Sequence, residues 1–128
     1  MVKYLSQEYL DEQKAISQAF AERPGANARI QYVVTDAPEG EVRYFWLLED
    51  GKFSDVRLGE IEDPDFTITT NYANSVKLLT GELNPQVAFM TGRMKVKGNI
   101  GKLLSLMPLT NSDDFKTMQD KLKATAQF

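Results

Sequence analysis

Residues 66–106, FTITTNYANSVKLLTGELNPQVAFMTGRMKVKGNIGKLLSL, decide how the chain is read. Phe66, Ile68 and Thr70 alternate with Thr67 and Thr69, the period-two pattern of a half-buried strand. Tyr72, Val76 and Leu79 then recur at helical spacing until Gly81 supplies a stop. Asn84-Pro85 restarts a short helix as N-cap and first-turn proline, with Val87, Phe89 and Met90 as its apolar residues. After Gly92 the run Arg93 to Lys97 alternates strictly. Met94 and Val96 therefore share one face, and Arg93, Lys95 and Lys97 share the other. Gly98 breaks this strand, and Asn99 is placed to cap a helix carrying Ile100, Leu103, Leu104 and Met107.

Working outward toward the N-terminus, residues 5–21 read as an amphipathic helix with Ser6 as N-cap and Leu5, Tyr9, Ile16, Ala19 and Phe20 near one face. Arg23 to Asn27 is a break containing Pro24 and Gly25. Ala28, Ile30, Tyr32 and Val34 alternate as a strand. Val42, Tyr44, Trp46 and Leu48 form the next, apolar on both faces near its end and so expected to be central. Asp50-Gly51 signals a hairpin leading to a third strand, Phe53 to Leu58. Gly59 to Asp65 is an acidic connector. An oxygen-ligand metal site at Glu60, Glu62, Asp63 and Asp65 is the sharper reading of it, and a solvated connector the preferred one.

Toward the C-terminus, Met107-Pro108 stops a helix, because proline disfavours helical geometry in the residue before it. Thr110, Asn111 or Ser112 can cap a last helix over 112–126, with Asp113 and Asp114 where the helix dipole favours negative charge. Phe115, Met118, Leu122 and Ala126 are its apolar stripe. This helix reads either as a movable lid or as a docked core element. The order of elements fits an α+β layer in one domain, residues 1–128.

Composition removes several chemistries. The chain has no histidine and no cysteine, which excludes His and Cys metal sites, Ser-His triads, thiol nucleophiles and disulfides together. The glycine spacings match no phosphate loop. Neither a catalytic residue nor a metal or cofactor is expected. A net charge of −3 argues against general nucleic-acid affinity. The charge is uneven: residues 1–65 hold 7 Lys and Arg against 14 Asp and Glu, while residues 66–128 hold 8 against 4. No apolar run approaches the roughly 20 residues that cross a bilayer, and a cytoplasmic protein is expected.

Ala88-Phe89-Met90-Thr91-Gly92-Arg93-Met94-Lys95-Val96-Lys97-Gly98-Asn99 resembles the signature of the sterol carrier protein 2 domain family. That signature runs from an aromatic, a small residue and glycine, through an alternating Lys-rich strand, to Gly with Asp or Asn and an apolar helix. The resemblance covers about a third of the chain. It implies a mainly antiparallel five-stranded sheet, twisted and covered by helices, with an internal apolar tunnel. It further implies non-catalytic binding and transfer of a lipid, whether fatty acid, acyl-CoA, sterol or isoprenoid. The rival is an accessory subunit that presents a lipid or isoprenoid to a lipid-modifying or quinone-biosynthesis enzyme.

On pattern alone the helix stripes read as plain core, and the resemblance moves part of them to a ligand wall. The candidate lipid-binding residues are Phe20, Ile30, Tyr32, Tyr44, Trp46, Phe66, Ile68, Met90, Met94, Val96, Leu103, Met107, Phe115, Met118 and Leu122. Arg93, Lys95 and Lys97 are either the wet face that protects an edge strand or a transient contact for an anionic membrane. A monomer or weak dimer is expected.

Overall fold

The computed structural model describes residues 2–128, so the first residue of the expected domain lies outside it. The chain runs β1 (Val2–Lys3), α1 (Gln7–Ser17), β2 (Ala28–Ala37), β3 (Gly40–Glu49), β4 (Lys52–Leu58), β5 (Phe66–Asn71), α2 (Tyr72–Thr80) and α3 (Pro85–Met90). It continues through β6 (Met94–Gly98), α4 (Ile100–Ser105), α5 (Met107–Thr110), α6 (Asp113–Thr125) and β7 (Ala126–Gln127). Five strands form one sheet in the order β4-β3-β2-β5-β6. Three of its pairings are antiparallel and β2–β5 is parallel, which gives the expected mainly antiparallel α+β sheet.

The local signals act as their chemistry requires. Asn71, Asn84, Asn99 and Ser112 each accept a hydrogen bond from a first-turn N–H of the helix that follows. Asp50 and Gly51 both take positive φ, 51° and 84°, the geometry of a tight hairpin between β3 and β4. Pro108 separates α4 from α5 and lies in the first turn of the latter. Gly98 has φ 122°, and a Cβ there would lie 2.7 Å from the Asp65 carbonyl oxygen and 2.8 Å from Phe66 Cα. Only glycine lets β6 turn away beside β5 at this point.

Two expectations about elements need correction. The first helix is shorter than 5–21, because Leu5 sits at φ 63° and Ser6 caps the N–H of Tyr9. The central strand is β2, not β3: the hairpin places β3 between β2 and β4, and β5 docks on the other side of β2. Val33 and Gln31, buried on the face opposite Ile30 and Val34, mark β2 as the strand covered on both sides. Of the two readings of the last helix, the docked one has these contacts behind it. Met118 and Leu122 are wholly buried, Asp114 accepts from the backbone N–H of Ala21 at 2.9 Å, and Thr125 donates to Glu12 at 3.0 Å. Beyond it β7 pairs in parallel with β1, so the two ends of the described chain are held together.

One edge of the sheet and part of its outer face are covered by identifiable residues. Helix α1 lies along the outer edge of β4. Gln7 donates to the Val56 carbonyl and accepts from the Leu58 N–H; Gln18 donates to the Phe53 carbonyl; Ser17 accepts from the Phe53 N–H. Side chains thus satisfy backbone groups that an uncovered edge would expose. The acidic connector crosses the outer face of the sheet. Gln31 holds it there, donating to the Gly59 carbonyl and accepting from the Ile61 N–H. Glu60 pairs with Arg43, and Asp65 accepts from the Arg29 N–H. Glu60 and Asp65 are thus used in strapping the connector down.

Candidate functional site

The inner face of the sheet is built by register. Ile30 stands opposite Trp46 and Phe66, and Tyr32 stands opposite Tyr44 and Ile68. Ile68 in turn faces Val96 on β6. The side-chain period of two puts all of these on one side. Over them lie Leu106 and Leu109 from the α4–α5 region and Phe115, Met118 and Leu122 from α6.

Of the sequence candidates, Phe20, Ile30, Tyr44, Trp46, Phe66, Ile68, Phe115, Met118 and Leu122 come together in one buried cluster. Tyr32, Met94, Val96 and Leu103 are half-buried against it, and Met107 is also half-buried. Met90 is a correction. It is 82% exposed, because α3 turns only Ala88 inward and Met90 stands on the opposite side of that helix. The pattern reading missed Tyr4, Phe53 and Leu109, all buried here. Tyr4 precedes the first helix, and Phe53 opens β4 where a register shift against Leu47 and Leu48 breaks the alternation.

The inner cluster is aromatic rather than aliphatic. Tyr32 stacks on Tyr44 with ring centres 4.8 Å apart and planes 2° from parallel. Trp46 lies 4.6 Å from Tyr32 and 4.7 Å from Phe53, and Phe115 closes on it from α6 at 6.1 Å. Such pairs add about 0.5–1.5 kcal/mol beyond area burial. Burial pushes the Tyr4 phenol up to about 12, a shift partly countered by Ser75 beside it. Burial also holds the phenols of Tyr9, Tyr32 and Tyr44 well above their ordinary range, with smaller contributions from neighbouring tyrosines. These hydroxyls stay neutral and keep their protons to donate.

Tyr32 is unusual in one respect. It sits on the central strand, on the inner face, with neighbours in register on both sides, and it is still only half-buried. The helix layer leaves access to the middle of the sheet there. Elsewhere, two open clefts of about 330 and 420 Å³ flank the α1–β4 contact. Residues such as Glu22, Asp50 and Lys52 line one, and Asp11, Lys14 and Arg57 the other, so both suit water rather than an apolar chain.

On the opposite edge of the sheet, Lys95 and Lys97 are exposed on the outer face of β6, and Arg93 precedes them. Val87 and Phe89, each nearly half exposed, stand with Met90 on α3 just before this cationic row. The Arg93 N–H donates to the Ala88 carbonyl at 2.9 Å, which fixes the helix against the strand. Lys102 is occupied otherwise, donating to the Asn27 carbonyl.

The model of the SCP-2 sterol transfer family matches residues 8–111. The chain belongs to that family. Sterol carrier protein 2 of Gallus gallus is 34% identical over 79 residues, 61% of this chain but 14% of that protein. The chain thus matches about a seventh of the length of this curated relative. A crystal structure of sterol carrier protein 2 superposes with TM-score 0.69 at 18% identity, covering 94% of this chain and 98% of that one. The solution structure of palmitated SCP2L2 from Aedes aegypti gives TM-score 0.62 at 17% identity, over 78% of this chain and 88% of the other. At these identities the structures establish the SCP-2 fold. Membership of the SCP-2 family supports lipid binding and transfer in general. No helix among the described residues is long and apolar enough to cross a membrane.

Proposed function

We propose that the protein is a non-enzymatic carrier that takes one lipid between the inner face of its sheet and the helices above it, and moves it through water. The observation that carries this reading is the half-buried Tyr32 in the middle of the inner face, with Trp46 beside it and Met94 and Val96 likewise half-buried on the same face. A gap in the covering layer at the centre of an aromatic wall serves a ligand better than it serves stability. Removing a chain from water contributes about 0.8 kcal/mol per methylene, so a chain of about 16 carbons gains on the order of 12 kcal/mol gross. Binding entropy and the competing membrane offset most of it. A carrier therefore works with wall residues and an opening, and needs no catalytic group.

Loading and unloading take place at a membrane surface. The exposed Val87, Phe89 and Met90 on α3, next to Arg93, Lys95 and Lys97, combine apolar side chains for the acyl boundary with cations for anionic head groups. The test is transfer of a fluorescent lipid between donor and acceptor vesicles, joined to native mass spectrometry of protein purified from its own host. Protein-dependent transfer and a co-purified lipid support the carrier. A stoichiometric protein partner without transfer points instead to an accessory subunit that presents its lipid to an enzyme. Neither result leaves the inner cluster as plain core.

A further inference from the structure

The two edges of the sheet are finished differently. At the β4 edge, Gln7, Ser17 and Gln18 take up the outward backbone groups of Phe53, Val56 and Leu58. At the other edge stands β6, last in the strand order. Beyond the pair Phe66–Gly98, the Asn99 N–H donates to the Asp65 carbonyl at 2.7 Å. Bonded and non-bonded pairs alternate along an antiparallel ladder. Lys97–Thr67 and Lys95–Thr69 are therefore the bonded pairs, and the N–H and C=O groups of Met94 and Val96 point away from β5. Among the described residues, no hydrogen bond reaches these groups from another element. An open edge of this kind is a template for one more strand.

The side chains along the edge are sorted by face. Arg93, Lys95 and Lys97 are exposed on the outer side, and none of them makes an ion pair among the described residues. Met94 and Val96 are half-buried on the inner side, so an added strand would extend the apolar face as well as the ladder. The helices that precede and follow β6 carry the exposed Val87, Phe89 and Met90 on α3 and Ile100 and Leu104 on α4. Exposed apolar residues gathered beside an open edge mark an interaction surface.

The charges decide which strand fits. A second copy that pairs β6 against β6, with the inner faces on one side, sets cation opposite cation, which destabilises the pair. An acidic strand meets the reverse. Because Met94 and Val96 supply the free backbone groups, they form the bonded pairs with the newcomer. Lys95 then occupies a non-bonded pair, where opposed side chains come closest. Acidic residues of the added strand thus stand against the cationic row, and its apolar residues stand against Met94 and Val96. A membrane surface would use the cations but has no use for the directed backbone groups between them.

We propose that the β6 edge takes up an extended segment of a partner protein, with acidic and apolar residues alternating, as a sixth strand of the sheet. The proposal goes beyond lipid carriage and does not rest on it, since no residue of the aromatic wall takes part.

The test uses the full chain and a capped peptide of seven residues, glutamate alternating with valine. Two controls accompany it: the same peptide with lysine for glutamate, and the same peptide with its valines N-methylated so that the backbone bonds cannot form. The glutamate peptide is expected to bind saturably. At about ten times its Kd it is expected to slow hydrogen exchange of the Met94 and Val96 amides about tenfold. The Lys95→Glu, Lys97→Glu double variant is expected to weaken it at least about tenfold and to accept the lysine peptide in its place. Unprotected Met94 and Val96 amides at millimolar glutamate peptide overturn the proposal. So does an N-methylated peptide that binds as tightly as its parent, or a folded double variant with undiminished affinity. If anionic phosphatidylglycerol vesicles bind through the row while the peptide leaves both amides exchanging freely, the row serves a membrane and the strand proposal falls.

Discussion

Raising the pH above the ordinary tyrosine range is a sensitive perturbation of this interior. Tyr4, Tyr9 and Tyr44 are 7%, 4% and 8% exposed, and burial raises each phenol above its usual 10.0, Tyr4 to about 12. The unfolded chain releases these protons near pH 10, while the folded chain keeps them. The unfolded state then binds fewer protons than the native state, so stability is complete below about pH 10 and falls as pH rises toward the folded values. At pH 11 Tyr4 contributes a loss of about 1.4 kcal/mol, and Tyr9 and Tyr44 add losses of the same sign. That is set against the roughly 5–15 kcal/mol typical of a domain. Tyr32 shifts in the same direction and adds to it. Urea melts followed by Trp46 fluorescence should show midpoints falling steeply above pH 10. Phenolate absorbance should grow in step with unfolding and not before it. Several phenols titrating near their ordinary value, in protein whose near-UV circular dichroism is still native, would refute the buried cluster.

Other outcomes are expected of single elements. Gly98→Ala should cost roughly 2–3 kcal/mol in a urea melt, because the backbone is in a glycine region and the new methyl meets the Asp65 carbonyl; a loss under half of that would show β6 free to shift. Replacing Arg93, Lys95 and Lys97 together by Gln should weaken binding to anionic vesicles most at low salt and leave the melting temperature nearly unchanged, since all three are exposed. Unchanged vesicle binding would leave the row as edge protection alone. Truncation after Thr110 removes Phe115, Met118 and Leu122 from the core and should abolish cooperative unfolding. A truncated chain that still melts sharply would restore α6 as a lid.

The strands were legible because one face of each alternates in the sequence, and β5, β6 and the hairpin needed no tertiary information. Helix starts were legible because asparagine and serine caps are local chemistry. The strand order was not: whether β2 or β3 lies at the centre depends on where β5 docks, a pairing that joins residues more than thirty positions apart. The wall was half legible. Ile30, Trp46 and Phe66 declare themselves by alternation, whereas Tyr4 precedes the first helix and Phe53 sits where a register shift breaks the alternation of β4. Met90 went astray for a related reason. A helix of six residues is too short for its apolar pattern to fix which side faces inward. The gathering of the tyrosines had no signature at all, since each belongs to a different segment.

The central claim is that a lipid chain lies beside Trp46 inside a water-borne protein. Trp46 is the only tryptophan, so its fluorescence reports on that one place. Delipidated protein should be titrated with hexadecanol carrying bromine along its chain, which quenches tryptophan on contact. The account predicts saturable quenching at one lipid per protein with micromolar or better affinity. It further predicts that unlabelled hexadecanol restores the emission. Emission that stays constant across the titration, in protein that separate measurement shows to have taken up the lipid, would place the lipid elsewhere and contradict the account.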